Sequence, residues 1–236
     1  FRLNDGETQL GLAFQEVVDL DAIADHIIPS DAPGVVEGVT LVAVSKTKPV
    51  EDILELYSLG HRDFGENYVQ ELTEKAAALP KDIRWHFIGH LQSNKVKYIA
   101  SFVHLVHGVD SLKLLKEINK EAAKQNRVIG CLLQVHIASE ETKFGLDEAE
   151  LKQVVDQAGE LKLEQVQIQG LMGMASFTEN MEQVKTEFRQ LKALFDQYPG
   201  FRILSMGMSG DYQLAIAEGS TMVRIGSLLF GERSKA

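Results

Sequence analysis

The chain has 236 residues, of which 44% are hydrophobic, so it can bury a full core in a domain of ordinary size. Its formal net charge of −10 argues against nonspecific nucleic-acid binding, which needs lysine and arginine to neutralise phosphates. The single cysteine excludes an internal disulfide, and no signal peptide or apolar run of about 18 residues is visible, so we expect a cytoplasmic protein without a membrane segment.

Strand and helix patterns alternate along most of the chain. Residues 1–38 indicate only one or two amphipathic helices, whereas short apolar segments and helical stripes follow one another from Thr40 onward. The eight predicted strands are residues 41–44, 62–67, 83–89, 102–109, 130–138, 166–175, 202–208 and 222–226. Asp110 or Ser111 is expected to cap the helix after the fourth strand, and Asp147 with Glu150 resembles a capping box.

Eight strand–helix units follow one another with no change in composition between them. Strands that alternate with helices pair in parallel through right-handed crossovers. We therefore predict one α/β domain over residues 1–236, a closed (β/α)8 TIM barrel with residues 1–38 as an N-terminal helical segment. A doubly wound open sheet is the alternative, because periodicity alone does not show closure.

The segment TLVAVSKTKP, residues 40–49, carries the clearest chemical signal. Side chains alternate along a strand, so Val42, Val44 and Lys46 share one face, and Lys46 lies at the carboxyl end, where barrels place their active sites. An amine beside apolar walls has a depressed pKa and becomes a usable nucleophile. The alternative is a lysine that only extends from the strand end into solvent.

The strand ends after the seventh and eighth strands predict a phosphate site. The segments MSGD and IGS each bring glycine and serine to the loops that bind phosphate in this fold, and MSGD runs into a helix amino terminus. Ordinary turn glycines with an aspartate cap are the alternative for either segment alone. Because the two strands are neighbours in a barrel, the two segments together favour a phosphate.

Arg224 lies inside an apolar strand, where an unpaired guanidinium would be costly, so it needs a partner. A structural ion pair with Glu66 or Glu218 is one possibility, and an acceptor on a ligand is the other. A lysine nucleophile, a phosphate site and a buried arginine together suggest pyridoxal 5′-phosphate (PLP), with its aldehyde as a Schiff base on Lys46 and its pyridine nitrogen facing Arg224.

Other residues carry weaker signals. His86 and His90 have metal-like spacing only on a helix, and because they flank a strand end we expect no metal site. Cys131 is expected in the core rather than as a nucleophile. Methionines near strand ends are usually core residues, but they can also form a soft wall beside a flat ring. Four methionines have such positions: Met172, Met174, Met206 and Met208.

Seven motifs between Thr40 and Arg233 resemble one known family, the pyridoxal phosphate homeostasis proteins, also described as YggS-like. The motifs are AVSKTKP (43–49), FGENYVQE (64–71), WHFIGHLQSNK (85–95), KFGL (143–146), GLMGMA (170–175), LSMGMSGD (204–211) and EGSTMVRIGSLLFGER (218–233). The resemblance implies a barrel like the N-terminal domain of alanine racemase, with PLP on Lys46. The expected cofactor-binding residues are Lys46, Asn67, His86, Met208, Ser209, Gly210, Arg224, Gly226 and Ser227.

Three functions compete. The resemblance implies a protein without established turnover that binds and delivers PLP and keeps the PLP pool and amino-acid metabolism in balance. An amino-acid racemase or decarboxylase is the second, but racemases of this fold add a β-domain with a tyrosine base, and a chain that stops at Ala236 is expected to lack it. A Schiff-base aldolase acting on a sugar phosphate is the third. We expect amino acids and PLP-dependent apoenzymes as partners, and a monomer or weak dimer.

Overall fold

The computed structural model describes residues 38–139 and 144–231. The helical segment predicted for residues 1–38 thus lies outside the described residues, apart from Gly38, and so does Lys143 of the KFGL motif. Within the described ranges, strands and helices alternate as the sequence predicts.

Eight parallel strands form a closed barrel. They are β1 (Thr40–Val44), β2 (Asp63–Glu66), β3 (Arg84–Phe87), β4 (Leu105–Val109), β5 (Ile129–Gln134), β6 (Val166–Met172), β7 (Ile203–Met208) and β8 (Met222–Ile225). Each strand pairs with its sequence neighbour, and β1 also pairs with β8, with Thr40 opposite Met222 and Val42 opposite Arg224. The closure confirms the predicted TIM barrel and rules out the doubly wound open sheet.

Helices follow the strands and surround the barrel. They are α1 (Val50–Ser58), α2 (Val69–Ala78), α3 (Val96–Ile99), α4 (Leu112–Lys124), α5 (Glu148–Glu160), α6 (Met181–Asp196), α7 (Tyr212–Ala217) and α8 (Ser227–Phe230), with a 3₁₀ turn at Ser93–Lys95. The short helix α8, directly after β8, is one that the sequence analysis did not predict. Among the described helices, none combines the length and the apolarity needed to cross a membrane.

Capping explains where two of the long helices begin. Ser111, rather than Asp110, caps α4, because its Oγ accepts a hydrogen bond from the Leu114 N–H at 3.2 Å. The capping box of α5 is confirmed: Asp147 Oδ1 accepts from the Glu150 N–H at 2.8 Å, and Glu150 Oε2 accepts from the Asp147 N–H at 2.9 Å. Each such bond satisfies an amide that the helix itself leaves free.

Two apolar layers hold the barrel together. The inner cluster consists of Val42, Leu105, Leu132, Met172 and Met222. The outer, larger cluster packs the other face of each strand against the helices, as the continuous apolar strands require. Burying one such side chain contributes about 1.5–3 kcal/mol. Because the inner layer fills the barrel below, the polar residues at the carboxyl ends of the strands meet above it.

Candidate functional site

A tight turn after β1 presents Lys46 at the mouth of the barrel. The Lys48 N–H donates to the Ser45 carbonyl at 3.0 Å, and Thr47 has a φ of 63°. A β-branched residue rarely takes a positive φ, which costs roughly 1–3 kcal/mol and persists only when the surroundings hold it. Lys46 is half-buried and lines a cavity together with Val44, as the alternation along β1 predicts.

A buried polar network behind β1 holds this turn. Glu66 Oε1 accepts from Ser45 Oγ at 2.6 Å and from Lys75 Nζ at 2.7 Å. Lys75 Nζ also donates to the Ser45 carbonyl and to Glu71 Oε1, each at 2.7 Å, and Glu71 Oε1 accepts from the Thr47 N–H at 2.6 Å. Burial raises the pKa of Glu66, against the opposing effect of the bonds from Lys75 and Ser45. Helix α2 thereby fixes the backbone on both sides of Lys46.

Lys48, the second amine of the turn, is engaged elsewhere. Its Nζ donates to the Phe230 carbonyl at 2.6 Å and lies 3.5 Å from the Gly231 carbonyl. These contacts tie the end of α8 to the turn after β1. Lys48 would have to give up a short hydrogen bond before its amine could act as a nucleophile.

The predicted phosphate segments meet beside one another. Ser209 and Gly210 follow β7, Gly226 follows β8, and Ser227 begins α8, while the Gly226 N–H donates to Ser209 Oγ at 3.3 Å. A Cβ on Gly210 would meet no protein atom within 4 Å, and one on Gly226 would make ordinary contact with Val44. The packing of the protein therefore does not require glycine here, and the two positions leave room for an approaching group.

Arg224 is buried at the cavity wall and bonded to neutral groups. Its Nη1 donates to the Ser205 carbonyl at 2.9 Å and to Ser205 Oγ at 2.6 Å, and its Nη2 donates to the Gly173 carbonyl at 3.2 Å. Burial lowers the pKa of Arg224 to about 10, so the guanidinium stays charged at pH 7. Glu66 pairs with a lysine of α2 and Glu218 with an arginine of α6, so neither forms the ion pair that the sequence analysis considered.

The cavity at the barrel mouth has a volume of about 440 Å³, within the usual range for small ligands. Three cations line it, Lys46, Lys48 and Arg224, and its described lining contains no carboxylate. Asp211, beside the cavity, accepts from the Met208 N–H at 2.6 Å. In a chain with a net charge of −10, such a local excess of positive charge favours an anionic ligand.

The structure brings eight of the nine predicted site residues to this cavity. They are Lys46, Asn67, Met208, Ser209, Gly210, Arg224, Gly226 and Ser227. Asn67 Oδ1 is buried there and has no hydrogen-bond partner within the described part of the chain. That these residues bind a cofactor stays a prediction.

His86 is the residue that the structure does not bring to the cavity. It lies within β3 rather than at its end and is 1% exposed, with Nε2 3.0 Å from Asp63 Oδ1 and Nδ1 2.9 Å from His107 Nε2. The predicted strand reaches residue 89, and its periodicity cannot show that Ile88 lines the cavity. That His86 binds the cofactor stays a prediction, which its place inside β3 does not favour.

The four methionines named in the sequence analysis fall into two pairs in the structure. Met174 and Met208 line the cavity, whereas Met172 and Met206 are buried in the inner and outer clusters. Phe177, which the sequence analysis did not single out, also lines the cavity while 97% exposed. Its one available signal was its position just past the predicted end of the sixth strand.

Neither metal nor thiol chemistry finds support here. Within residues 38–139 and 144–231, no group of three histidine, cysteine, aspartate or glutamate residues is placed to hold a metal ion. Cys131 lies in the core, as predicted, and burial raises the pKa of its thiol to about 12.

Comparison with known families places the whole described barrel in one group. Residues 18–234 match the family model described as alanine racemase, N-terminal domain. A pyridoxal phosphate homeostasis protein from Aquifex aeolicus is 45% identical over 199 residues, which is 82% of this chain and 86% of that protein. The protein of the same name from Escherichia coli is 39% identical over 206 residues, 84% of this chain and 87% of that protein.

A solved structure adds a bound cofactor to the comparison. PipY of Synechococcus elongatus, determined with PLP bound, is 37% identical and superposes with a TM-score of 0.76. The match covers 89% of this chain and 99% of PipY.

Proposed function

The chain belongs to the family of pyridoxal phosphate homeostasis proteins, and from that premise we propose that its barrel mouth holds PLP as a Schiff base on Lys46. The observation that carries the proposal is that two lysines, an arginine and two serines line one cavity, with no carboxylate among its described lining residues. PLP needs an amine for its aldehyde and donors for its phosphate, and this lining offers both.

Lys46 is the amine that the geometry favours. Its Nζ would add to the aldehyde carbon, and the loss of one water would leave a carbon–nitrogen double bond. Lys48 lies beyond the strand, and its Nζ donates to the Phe230 carbonyl at 2.6 Å, which ties this side chain to the end of α8. The strained turn at Thr47 and the network around Glu66 support Lys46 by fixing the backbone that carries it.

The remaining cavity residues fit the rest of the cofactor. Ser209 and Ser227 would donate to the phosphate, and the space beside Gly210 and Gly226 would let it approach the backbone. Arg224 would donate to the pyridine nitrogen. The unpartnered Asn67 Oδ1 offers an acceptor for a hydroxyl of the ring and gains the hydrogen bond that burial otherwise denies it.

We assign the protein a role as a cytoplasmic PLP carrier and regulator that keeps the cofactor pool and amino-acid metabolism in balance, without substantial turnover of its own. Its acceptors would be PLP-dependent apoenzymes, and amino acids would compete for the aldehyde. The family membership supports this role, and so does the make-up of the cavity, whose described lining holds the Lys46 amine but no tyrosine, histidine or carboxylate as an opposed base.

An amino-acid racemase of the same fold is the alternative, and it would need a second base facing Lys46. The described lining contains no tyrosine, histidine or carboxylate, and its other amine, Lys48, is bonded to the Phe230 carbonyl. The lining therefore favours the carrier over the racemase.

Visible absorption of the purified protein tests the proposal. Adding PLP should produce the yellow band of a protein Schiff base in the wild type and in Lys48→Ala, whereas Lys46→Ala should give only the spectrum of free PLP. The absence of the band from wild type would overturn the proposal. Trapping a sugar phosphate on Lys46 with borohydride in cofactor-free protein would instead restore the aldolase hypothesis.

A further inference from the structure

A continuous chain of hydrogen bonds crosses the interior of the barrel and ends on Arg224. Asp63 Oδ1 lies 3.0 Å from His86 Nε2, and His86 Nδ1 lies 2.9 Å from His107 Nε2. His107 Nδ1 lies 3.1 Å from Ser205 Oγ, which accepts from Arg224 Nη1 at 2.6 Å. This hydrogen-bond chain therefore joins β2, β3, β4, β7 and β8. Asp63, His86 and His107 do not line the cavity at the barrel mouth.

The two ends of this chain determine where its protons lie. A guanidinium can only donate, so Ser205 Oγ must accept from Arg224, and its own proton is free to point at His107 Nδ1. His107 is then protonated on Nε2 and donates to His86 Nδ1. His86 is protonated on Nε2 and donates to Asp63, which as a carboxylate can only accept.

The opposite direction is unfavourable at the Ser205 end in every case, and at the Asp63 end unless His86 carries protons on both ring nitrogens. With His86 protonated on Nδ1 alone, the bare Nε2 would face the Asp63 carboxylate at 3.0 Å. The hydroxyl proton of Ser205 would meanwhile have no acceptor in the chain, although Ser205 is fully buried. An unsatisfied buried donor is costly, so the protons all point toward Asp63.

Burial and charge keep the protons of this hydrogen-bond chain in that arrangement. His86 is 1% exposed and His107 is fully buried, and burial lowers the pKa of His107 well below its usual value, with the charge of Arg224 acting in the same direction. Asp63 also binds Arg84, and bonds from Arg84 and His86 hold the pKa of its carboxyl far below the usual range against the cost of burial. A neutral His107 therefore separates the anionic and the cationic end.

We propose that Asp63, His86 and His107 are positioning residues for Arg224: they fix the direction of the Ser205 hydroxyl and thereby hold the guanidinium at the cavity wall. Asp63 acts as a remote counter-ion, connected to Arg224 by three intervening hydrogen-bonding side chains instead of by direct contact. A carboxylate in contact with Arg224 would compete with a ligand for the N–H groups of the guanidinium. The relay, by which we mean the hydrogen-bond chain from Asp63 through His86 and His107 to Ser205, leaves the remaining guanidinium N–H groups to the cavity. The part of the inference that concerns the pyridine nitrogen rests on the proposed function.

Nitrogen-15 NMR of histidine in the cofactor-free wild type tests the proton direction without any variant. At neutral pH, His107 should be neutral and protonated on Nε2, with scalar coupling across the hydrogen bond that this proton makes to His86 Nδ1. A proton on Nδ1 of His107 would overturn the proposal, whatever the protein does with PLP.

Titration with PLP tests the consequence for Arg224. Ser205→Ala and His107→Leu should each weaken PLP binding by about tenfold, the effect of one hydrogen bond to a charged group, and should move the pH midpoint of the visible band in the same direction as Arg224→Leu. His104→Asn is the matched control, because its ring centroid lies 5.5 Å from that of His86 but outside the chain, and it should change neither quantity.

The outcomes separate the two proposals. If wild type forms no band, the proposed function fails, while the NMR result still decides the relay. If wild type binds PLP and Arg224→Leu moves the midpoint, but His107→Leu and Ser205→Ala do not, the relay is overturned and the function stands.

Discussion

At the scale of single residues, Arg224 would determine what PLP, held as proposed, could do in this site. A carboxylate beside the pyridine nitrogen would stabilise its protonated form, which draws electrons from a substrate carbanion. An arginine with a pKa of about 10 can only donate at pH 7, so it favours the neutral ring. The stabilisation lost from the carbanion fits a protein that holds PLP rather than one that uses it.

Ser209 and Ser227 are predicted to hold the phosphate. Ser209→Ala and Ser227→Ala should each weaken PLP binding by about ten- to a hundredfold, because a hydrogen bond to a charged group contributes roughly 1.5–3 kcal/mol. Equilibrium titration followed by visible absorption measures the effect. Pyridoxal, which lacks the phosphate, is the control ligand and should bind both variants as it binds wild type. Unchanged PLP affinity in the double variant would place the phosphate elsewhere.

At the scale of elements, the turn after β1 depends on helix α2. Lys75 and Glu71 of α2 and Glu66 of β2 bond to both sides of Lys46, and Glu66 and Lys75 form a buried ion pair at 2.7 Å. Removing one partner of such a pair leaves a buried charge without compensation.

Lys75→Met should therefore lower the free energy of unfolding by about 3–5 kcal/mol, because Glu66 then loses its counter-ion. Glu66→Gln should cost less, since Lys75 keeps Glu71 and the Ser45 carbonyl. The double variant Lys75→Met/Glu66→Gln should recover part of the loss, and urea unfolding of the four proteins measures the coupling. Strictly additive losses would contradict the network.

The elements also show what can and cannot be predicted from the sequence. Alternating apolar strands and capped helices were enough for the barrel, and because a barrel gathers its strand ends, they also predicted that Lys46, Arg224 and Ser209 would meet. The Glu66–Lys75 pair and the relay through His107 could not be predicted, because they join residues of different strands and helices whose relative rotation no periodicity records. The buried position of His86 could not be predicted for the same reason: it lies within β3, which ends at Phe87 instead of residue 89, and bonds to residues of two neighbouring strands.

At the scale of the whole molecule, histidines link stability to pH. Loss of solvation lowers the pKa of the fully buried His107, and to a lesser extent of the partly buried His61 and the exposed His104, so the unfolded chain binds more protons once the pH falls below about 6.5. Their contribution to stability is full above that value and is lost as the pH falls. Glu66, whose pKa is raised above 4.5, acts in the opposite direction as a single group.

The free energy of unfolding should accordingly decrease as the pH is lowered from about 7 to about 5, with His107 contributing at most about 1.4 kcal/mol per pH unit. Below pH 3.8, the lowered pKa of Asp63 should add a further loss. Urea unfolding at a series of pH values measures the slope. A stability that is constant or rises over the first interval would contradict the assignment of neutral buried histidines.

The carrier role predicts slow chemistry at the α-carbon of amino acids. The described cavity lining offers no second base, and Arg224 at the pyridine nitrogen would make the ring a weak electron sink, so the PLP-loaded protein should exchange the α-proton of alanine in heavy water far below the rates of enzymes. Proton NMR of alanine follows the exchange, with free PLP as the reference. Exchange at about 1–1000 per second would restore the racemase. That residues 1–236 form one domain stays a prediction.

Borohydride reduction of the PLP-loaded protein, followed by peptide mapping, tests the central assignment most directly. Reduction makes the carbon–nitrogen bond permanent, so the pyridoxyl group marks the lysine that held the aldehyde. We predict one modified peptide, with the group on Lys46, and none in Lys46→Ala. A pyridoxyl group on Lys48 in the wild type, or none at all, would contradict the account.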